Sequence, residues 1–289
     1  MTLKTRATAL LLASSALVSL PALAAPPASC PDQLRFADTG IEGMEEMVRT
    51  YHEFQETMGG ILGIDIAFFP VSDRTATVNA LQFNQVDIIL AGPSEYAVMR
   101  ARQPVQMMVG IERTEYGTAF VVHEDSDIHS LDDLRGKRIA LKDPGSTTGH
   151  IIPSMMLHEA GLDLDRDVRT LLLDGARFEA LINRDVDAMG SGVRDVARLQ
   201  ERDPDGRYRV IAESETMPRD IFVAGGALDA ECVAYVSETM YVHGDTLMDA
   251  ILGPGERRKY IGSRFVNNLT EEEYDRITEA YALVGYPLD

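Results

Sequence analysis

Positive charge is scarce in this 289-residue chain: 27 lysines and arginines stand against 46 aspartates and glutamates, a formal net charge of −19. Losing Lys4 and Arg6 with the leader described below takes −19 to −21. A nucleic-acid partner requires a basic face to neutralise phosphates, so that class is excluded. The same field repels anions at a distance, and an anion site here has to be built from local groups. Cysteine is equally sparse, with Cys30 and Cys232 alone. Two thiols make no metal site, and no His or Cys cluster with ligand spacing lies near them. In an oxidising compartment an even pair reads as one disulfide. Long apolar runs are missing after the first 25 residues, so the mature chain is not expected to be embedded in a membrane.

What is present begins with a leader. "MTLKTRATALLLASSALVSLPALAA" carries Lys4 and Arg6, then a short alanine-rich apolar run, then small residues at Ala22 and Ala24. That is the layout of a secretory signal peptide, taken as residues 1–25, and it predicts a periplasmic protein. A lipid-modified Cys30 is disfavoured, because "PPAS" lacks the apolar residue expected three positions earlier. The remaining residues suffice for two lobes. Apolar runs such as 34–38, 63–69, 86–92 and 105–112 alternate with helical patterns at 42–58, 73–83 and 93–102. In the first helix Met44, Met47, Val48 and Phe54 are placed toward the core. The alternation resumes with strands at 117–123, 137–141, 168–173, 186–192 and 208–214. Ser130 is expected to cap a helical turn that Gly136 stops. The pattern predicts an α/β fold with parallel sheets covered on both faces. Residues 26–118 form the first part of lobe one, 119–220 form lobe two, and 221–289 return to lobe one with the C-terminal helices. The lobes are joined near Tyr116–Val122 and Asp220–Ala224, with no Gly/Ser-rich linker between them.

The chemistry gathers in "KDPGSTTGH", residues 142–150, where a strand turns into a helix. A helix N-terminus presents unpaired N–H groups and partial positive charge, which attract anions. Ser146, Thr147 and Thr148 add hydroxyls in the same volume, and Gly145 and Gly149 let a ligand approach the backbone. One hydroxyl suffices for a cap; three in a row point to a ligand site. The stretch lacks the lysine and spacing of a nucleotide loop and the G-x-S-x-G of a nucleophile elbow. Nothing in the chain calls for a cofactor. His150, in the first turn, either donates to a ligand or lines the cleft as a neutral imidazole.

"SLDDLRGKRIALKDPGSTTGH" resembles the signature region of the phosphate/phosphite/phosphonate-binding proteins, the periplasmic receptors of ABC transporters. "ALQFNQVDIILAGPSEYAVM" and "VDAMGSG" are similar to two further stretches of that family, and the likeness runs through residues 33–225. The resemblance implies a two-lobe, type II periplasmic-binding-protein architecture with the ligand in a cleft between lobes. It implies capture of a small oxyanion (phosphonate, phosphite or phosphate) by hinge closure, delivery to an inner-membrane permease, a monomeric receptor, and no catalysis. Ser146, Thr147 and Thr148 match the family's hydroxyl triplet. Thr39 and Ser94, just past the strands at 34–38 and 86–92, join the ligand set. Asp220 falls where the family has an acid facing the ligand's variable end; otherwise it is a hinge carboxylate. Three departures stand out. Asp73-Arg74-Thr75 replaces a segment with a tyrosine, Ala91 replaces a second tyrosine, and Asp174 stands where a histidine is usual. Arg74 serves either as a fork for two ligand oxygens or as a solvated helix residue. Asp174 opposite an anion is unfavourable without a protonated oxygen, an amine or Arg177, which favours a protonated or cationic-ended ligand over a bare dianion. A sensor, or a receptor for another oxyanion or a metal chelate, is the alternative. An exported enzyme is less favoured, for want of a nucleophile–base pair.

Overall fold

A computed structural model of the chain describes residues 25–40, 43–255, 258–285 and 288; the expected signal peptide lies, up to residue 24, outside the described residues. Two sheets organise the rest. The first is ordered β11-β4-β10-β3-β1-β2, from β1 (Gln33–Asp38), β2 (Asp65–Phe68), β3 (Ile88–Ala91), β4 (Val105–Glu112), β10 (Asp220–Gly225) and β11 (Arg264–Val266). The second is ordered β7-β6-β8-β5-β9, from β5 (Thr118–His123), β6 (Arg138–Leu141), β7 (Arg169–Leu172), β8 (Ala188–Gly192) and β9 (Tyr208–Glu213). The chain crosses from one to the other at 113–117 and returns at 214–219.

The sheets are mixed rather than parallel. β1 pairs in parallel with β2 and β3, and β6 with β7 and β8. β5 runs antiparallel to β8 and β9, and β10 antiparallel to β3 and β4. The reason lies in the crossings. A strand that enters directly from the other sheet starts at the edge where the parallel strands end, so it must run against them. Hence every strand-to-helix junction of the parallel strands faces the edge at which the chain crosses. Open α/β sheets bind ligands at such carboxyl ends.

Helix α1 (Met44–Leu62) buries Met47, Thr50, Tyr51, Phe54, Met58 and Leu62, a three-and-four spacing that continues to its last turn. Met44 and Val48 lie off that stripe at 45% and 44% exposure, contrary to their expected core placement. Gly63 ends the helix in the left-handed conformation at φ 66°. Behind the stripe Phe222 stacks between Phe36, Phe54 and Phe265 at centroid distances of 5.8 to 6.2 Å. Ser130 also departs from expectation. The short turn Asp132–Leu134 has Leu131 at its N-cap, and the carboxylate of Asp133 accepts the N–H groups of His129 and Ser130 and the Ser130 hydroxyl. A charged acceptor outcompetes a hydroxyl for those donors.

Both "VD" elements serve architecture. Asp87, just before β3, accepts from Arg35 N at 2.8 Å, Nε at 2.9 Å and Nη2 at 2.6 Å. Asp187, just before β8, makes the same three contacts with Arg138, at 2.7, 3.2 and 3.2 Å. Each bracket pins the register of neighbouring parallel strands at the end far from the crossings.

Cys30 and Cys232 form a disulfide with Cα atoms 4.9 Å apart, tying the start of β1 to α7 (Ala230–Val242) across 202 residues. A loop of that length restricts the unfolded chain strongly. Replacing both cysteines by serine is therefore expected to lower unfolding free energy by about 2–5 kcal/mol in urea titration. An unchanged midpoint would show that the cross-link contributes nothing.

Candidate functional site

The turn after β6 is built around one proline. Pro153 has no N–H, so the carbonyl four residues earlier, Gly149, loses its helical partner. The N–H of Lys142 supplies it instead, at 2.8 Å, and closes 142–149 into a loop. Ser146 O accepts from His150 N at 2.9 Å and from Ile151 N at 3.0 Å, so residues 147–151 form one wide π-turn before α4 (Ile152–Glu159) begins. Only glycine fits at 149, where a Cβ would lie 2.4 Å from that of Lys142. Gly145 adopts φ 80°. The helix expected over 147–160 thus starts later, because the wide turn occupies its first residues.

Ser146 and Thr147 are buried. Ser146 sits at the N-cap position but its hydroxyl makes no capping bond, so capping does not account for it. Thr147 Oγ1 accepts the N–H of Ser94 from the other sheet at 3.1 Å. The carbonyl of Thr148 accepts from Thr118 Oγ1 at 2.9 Å, and its hydroxyl lies beside Gly192. Within the loop, Gly145 N donates to His150 Nδ1 at 3.0 Å. Burial pushes the His150 imidazole down to about 4, with Asp143 only partly opposing it. His150 is thus a neutral acceptor bracing the loop.

The first sheet faces this loop with α2 (Arg74–Gln82) and α3 (Pro93–Arg102). Asp73 caps α2 by accepting Ala76 N at 2.8 Å, which sets Arg74 at its first position. Gly92 and Pro93 start α3, a pairing suited to an N-cap and first turn. Ser94 and Glu95 are buried beside them. Arg74 is neither solvated nor an open fork. Its Nε donates to Asp143 at 2.5 Å and its Nη1 to Glu95, so one guanidinium joins α2, α3 and the loop of the second sheet. Burial opposes the charge of Arg74, yet the two carboxylates outweigh it and hold its pKa above the ordinary value. Thr39 is buried at the end of β1, with its N–H on Leu90 O at 3.1 Å.

A second polar cluster occupies the crossings. Asp220, fully buried at the start of β10, accepts from Tyr260 at 2.8 Å and pairs with Arg113 at 3.4 Å and Lys259 at 3.5 Å. Burial raises its pKa, but the two cations and the tyrosines bring it below the usual carboxylate range. Arg113 lies over the Tyr116 ring at 3.6 Å. Asp174 does not join either cluster. Its side chain is 63% exposed and lies 3.9 Å from Lys142. Arg177 contacts only its carbonyl, and commits its guanidinium to Asp195 at 2.7 Å. Glu95, Arg113, Lys259 and Tyr260 escaped sequence reasoning. Glu95 alone left a signal, three residues after the glycine that starts α3.

Comparisons with known proteins bear on the family and the fold. A family model described as ABC transporter, phosphonate, periplasmic substrate-binding protein matches residues 40–254. The chain is 27% identical over 227 residues to the phosphonates-binding periplasmic protein of Escherichia coli K12, covering 73% of this chain and 67% of that one. It is 23% identical over 222 residues to the phosphate-import protein PhnD of Mycolicibacterium smegmatis, covering 70% and 69%. The structure of PhnD1 from Prochlorococcus marinus, solved with methylphosphonate, superposes with a TM-score of 0.72 at 16% identity, covering 89% of this chain and all of that one. That likeness establishes a type II two-lobe fold.

The state of His150 gives a pH dependence. An unfolded imidazole takes up its proton near 6.5 and the folded one near 4. The unfolded state therefore binds more protons in that window, and stability is complete above 6.5 and lost as pH falls toward 4. The expected loss is about 3 kcal/mol. His150→Asn keeps an acceptor for Gly145 and should shrink the fall in stability between those pH values. Identical profiles for the two proteins would refute the assignment.

Proposed function

The chain belongs to the phosphonate family of periplasmic substrate-binding proteins of ABC transporters, and on that premise we propose that it captures a small phosphorus oxyanion between loop 146–148 and the N-terminus of α3. Phosphonate, phosphite and phosphate are the ligand class. The observation that carries the reading is the Thr147–Ser94 contact, which brings a hydroxyl of the second sheet's loop against a first-turn N–H of α3, beside Ser146, whose hydroxyl makes no capping bond. A tetrahedral oxyanion suits that combination of fixed, uncharged donors. Arg113 and Lys259 at the crossings add local positive charge against a chain that repels anions overall.

The mechanism is binding and release without bond making. Hydroxyls of the second lobe meet the ligand only when the lobes approach, so ligand binding stabilises the closed form by its differential contacts. Thr39 and Asp220 line the first lobe's side of that cleft, and Asp174 guards its rim. The leader at residues 1–25 exports the chain, and the closed, loaded receptor hands its ligand to an inner-membrane permease.

Ligands that bind only the folded state raise its melting temperature by mass action. Methylphosphonate, phosphite or phosphate at millimolar concentration is expected to raise it by several degrees; no shift with any phosphorus oxyanion would end this reading. The double variant Ser146→Ala, Thr147→Ala should weaken that ligand by roughly a hundredfold, since two charge-assisted hydrogen bonds are lost. Losing the Thr147–Ser94 bond should lower its ligand-free melting temperature by a few degrees while leaving the fold intact. Unchanged affinity by calorimetry would remove the hydroxyl loop from the site.

A further inference from the structure

At the junction of α3 and the hydroxyl loop, one carboxylate oxygen is buried without a hydrogen-bond partner: Glu95 Oε2. The residue is 3% exposed, and its other oxygen is held by Arg74. A methyl group placed on Gly92 would lie 2.7 Å from Glu95 Oε2 and 3.3 Å from Thr147 Oγ1, so both atoms border the same small space at the start of α3. A carboxylate oxygen accepts but never donates. Facing a bare anion it would repel it, and left unpaired in the interior it costs stability. Both difficulties vanish if the occupant brings a proton.

We propose that Glu95 is the specificity-determining residue of the site, accepting a hydrogen bond from a P–OH group so that the protein binds singly protonated phosphorus oxyanions. The inference rests on the reading of loop 146–148 as the oxyanion site. It assigns the ligand one donor, aimed at Glu95 Oε2, while its other oxygens accept from the hydroxyls and N–H groups. The charged and titratable groups around Glu95 fit this division. Arg74 from α2 balances one carboxylate, Asp143 and Lys142 from the loop balance each other at 3.3 Å, and His150 is neutral. Tyr281 of α9 (Asp275–Leu283) and Tyr116 at the crossing keep their phenolic protons, pushed up first by burial and further by nearby carboxylates, Glu95 among them. Asp220 is offset by Arg113 and Lys259. None of these groups donates to Glu95 Oε2, which leaves that acceptor open to a P–OH group of the ligand.

The test uses the mature full-length protein and calorimetry with three probes: methylphosphonate, its monomethyl ester, and methanesulfonate. The last two are monoanions that carry no acidic proton at neutral pH. Methylphosphonate is expected to bind at least about a hundredfold more tightly than either, because a site built to pair with a hydroxyl rejects an analogue lacking it. Its affinity should fall about tenfold per pH unit once pH exceeds the ligand's second ionisation. Glu95→Gln, whose amide also donates, should flatten that dependence and admit methanesulfonate. If no phosphorus compound binds, the oxyanion reading itself fails. If methylphosphonate binds but the sulfonate matches it, or its affinity holds steady through the second ionisation, Glu95 reads no proton and this inference fails. That comparison needs no variant, so it stands even if Glu95→Gln does not fold. A fourth probe, 2-aminoethylphosphonate, separates the donors. Tight binding confined to the amine, with methylphosphonate weak, would overturn P–OH recognition in favour of an ammonium.

Discussion

The bond from Lys142 N–H to the Gly149 carbonyl is the constraint on which the site depends. Pro153 removes the donor that a continuous helix would offer that carbonyl, and Gly149 alone allows the two backbones to meet. The loop so closed turns wide, and the wide turn points Thr147 at the first turn of α3 instead of spending its hydroxyl on its own helix. Remove the proline and an ordinary helix could start at Ser146, with one hydroxyl capping it. The contact between the sheets would then have no atom to make it.

Around that contact the charges are paired locally. Arg74 lies between Glu95 and Asp143, and Asp220 lies between Arg113 and Lys259. The first group has one carboxylate more than its cation, the second one cation more than its carboxylate. Buried ion pairs of this kind contribute less to stability than to geometry, since desolvation offsets much of their attraction. Their use here is positional: each joins elements that belong to different parts of the fold. α9 adds an apolar seam, with Ile277, Ala280 and Tyr281 packed in the same cluster as Ala97 of α3 and Met155 of α4.

Much of the architecture was legible in order and spacing. The bounds of α3 and β4 follow directly from their flanking Gly-Pro and Gln-Pro signals, and Gly136 follows its turn with the left-handed backbone expected of it; Gly63, read as the start of a strand, instead ends α1, which runs four residues past the expected 58. Errors arose where a competing partner came from outside the local window. Val48 and Met44 fit a helical stripe by spacing, but only the position of β1 decides which side of α1 is the core. Ser130 lost its role to Asp133, whose charge makes a stronger acceptor. The direction of β5 and β10 depends on which sheet each enters, and no pattern within six residues carries that information. The two "VD" pairs were visible within the stretches that resemble the family, while their function as brackets needed Arg35 and Arg138 alongside.

By itself the sequence determined that residues 142–150 place three hydroxyls, two glycines and a histidine at a strand-to-helix junction, because the alternation of apolar and polar positions is a local property. It also determined that the chain is strongly acidic and that any anion would be held by local groups. Only the tertiary structure decided which groups those hydroxyls meet. Arg74, Glu95 and Asp143 are separated by 21 and 48 residues along the chain, and they become one cluster only when α2, α3 and the loop after β6 converge. Burial did the rest: a carboxylate oxygen that would be hydrated on an open helix becomes, once water is excluded, an acceptor that requires a partner.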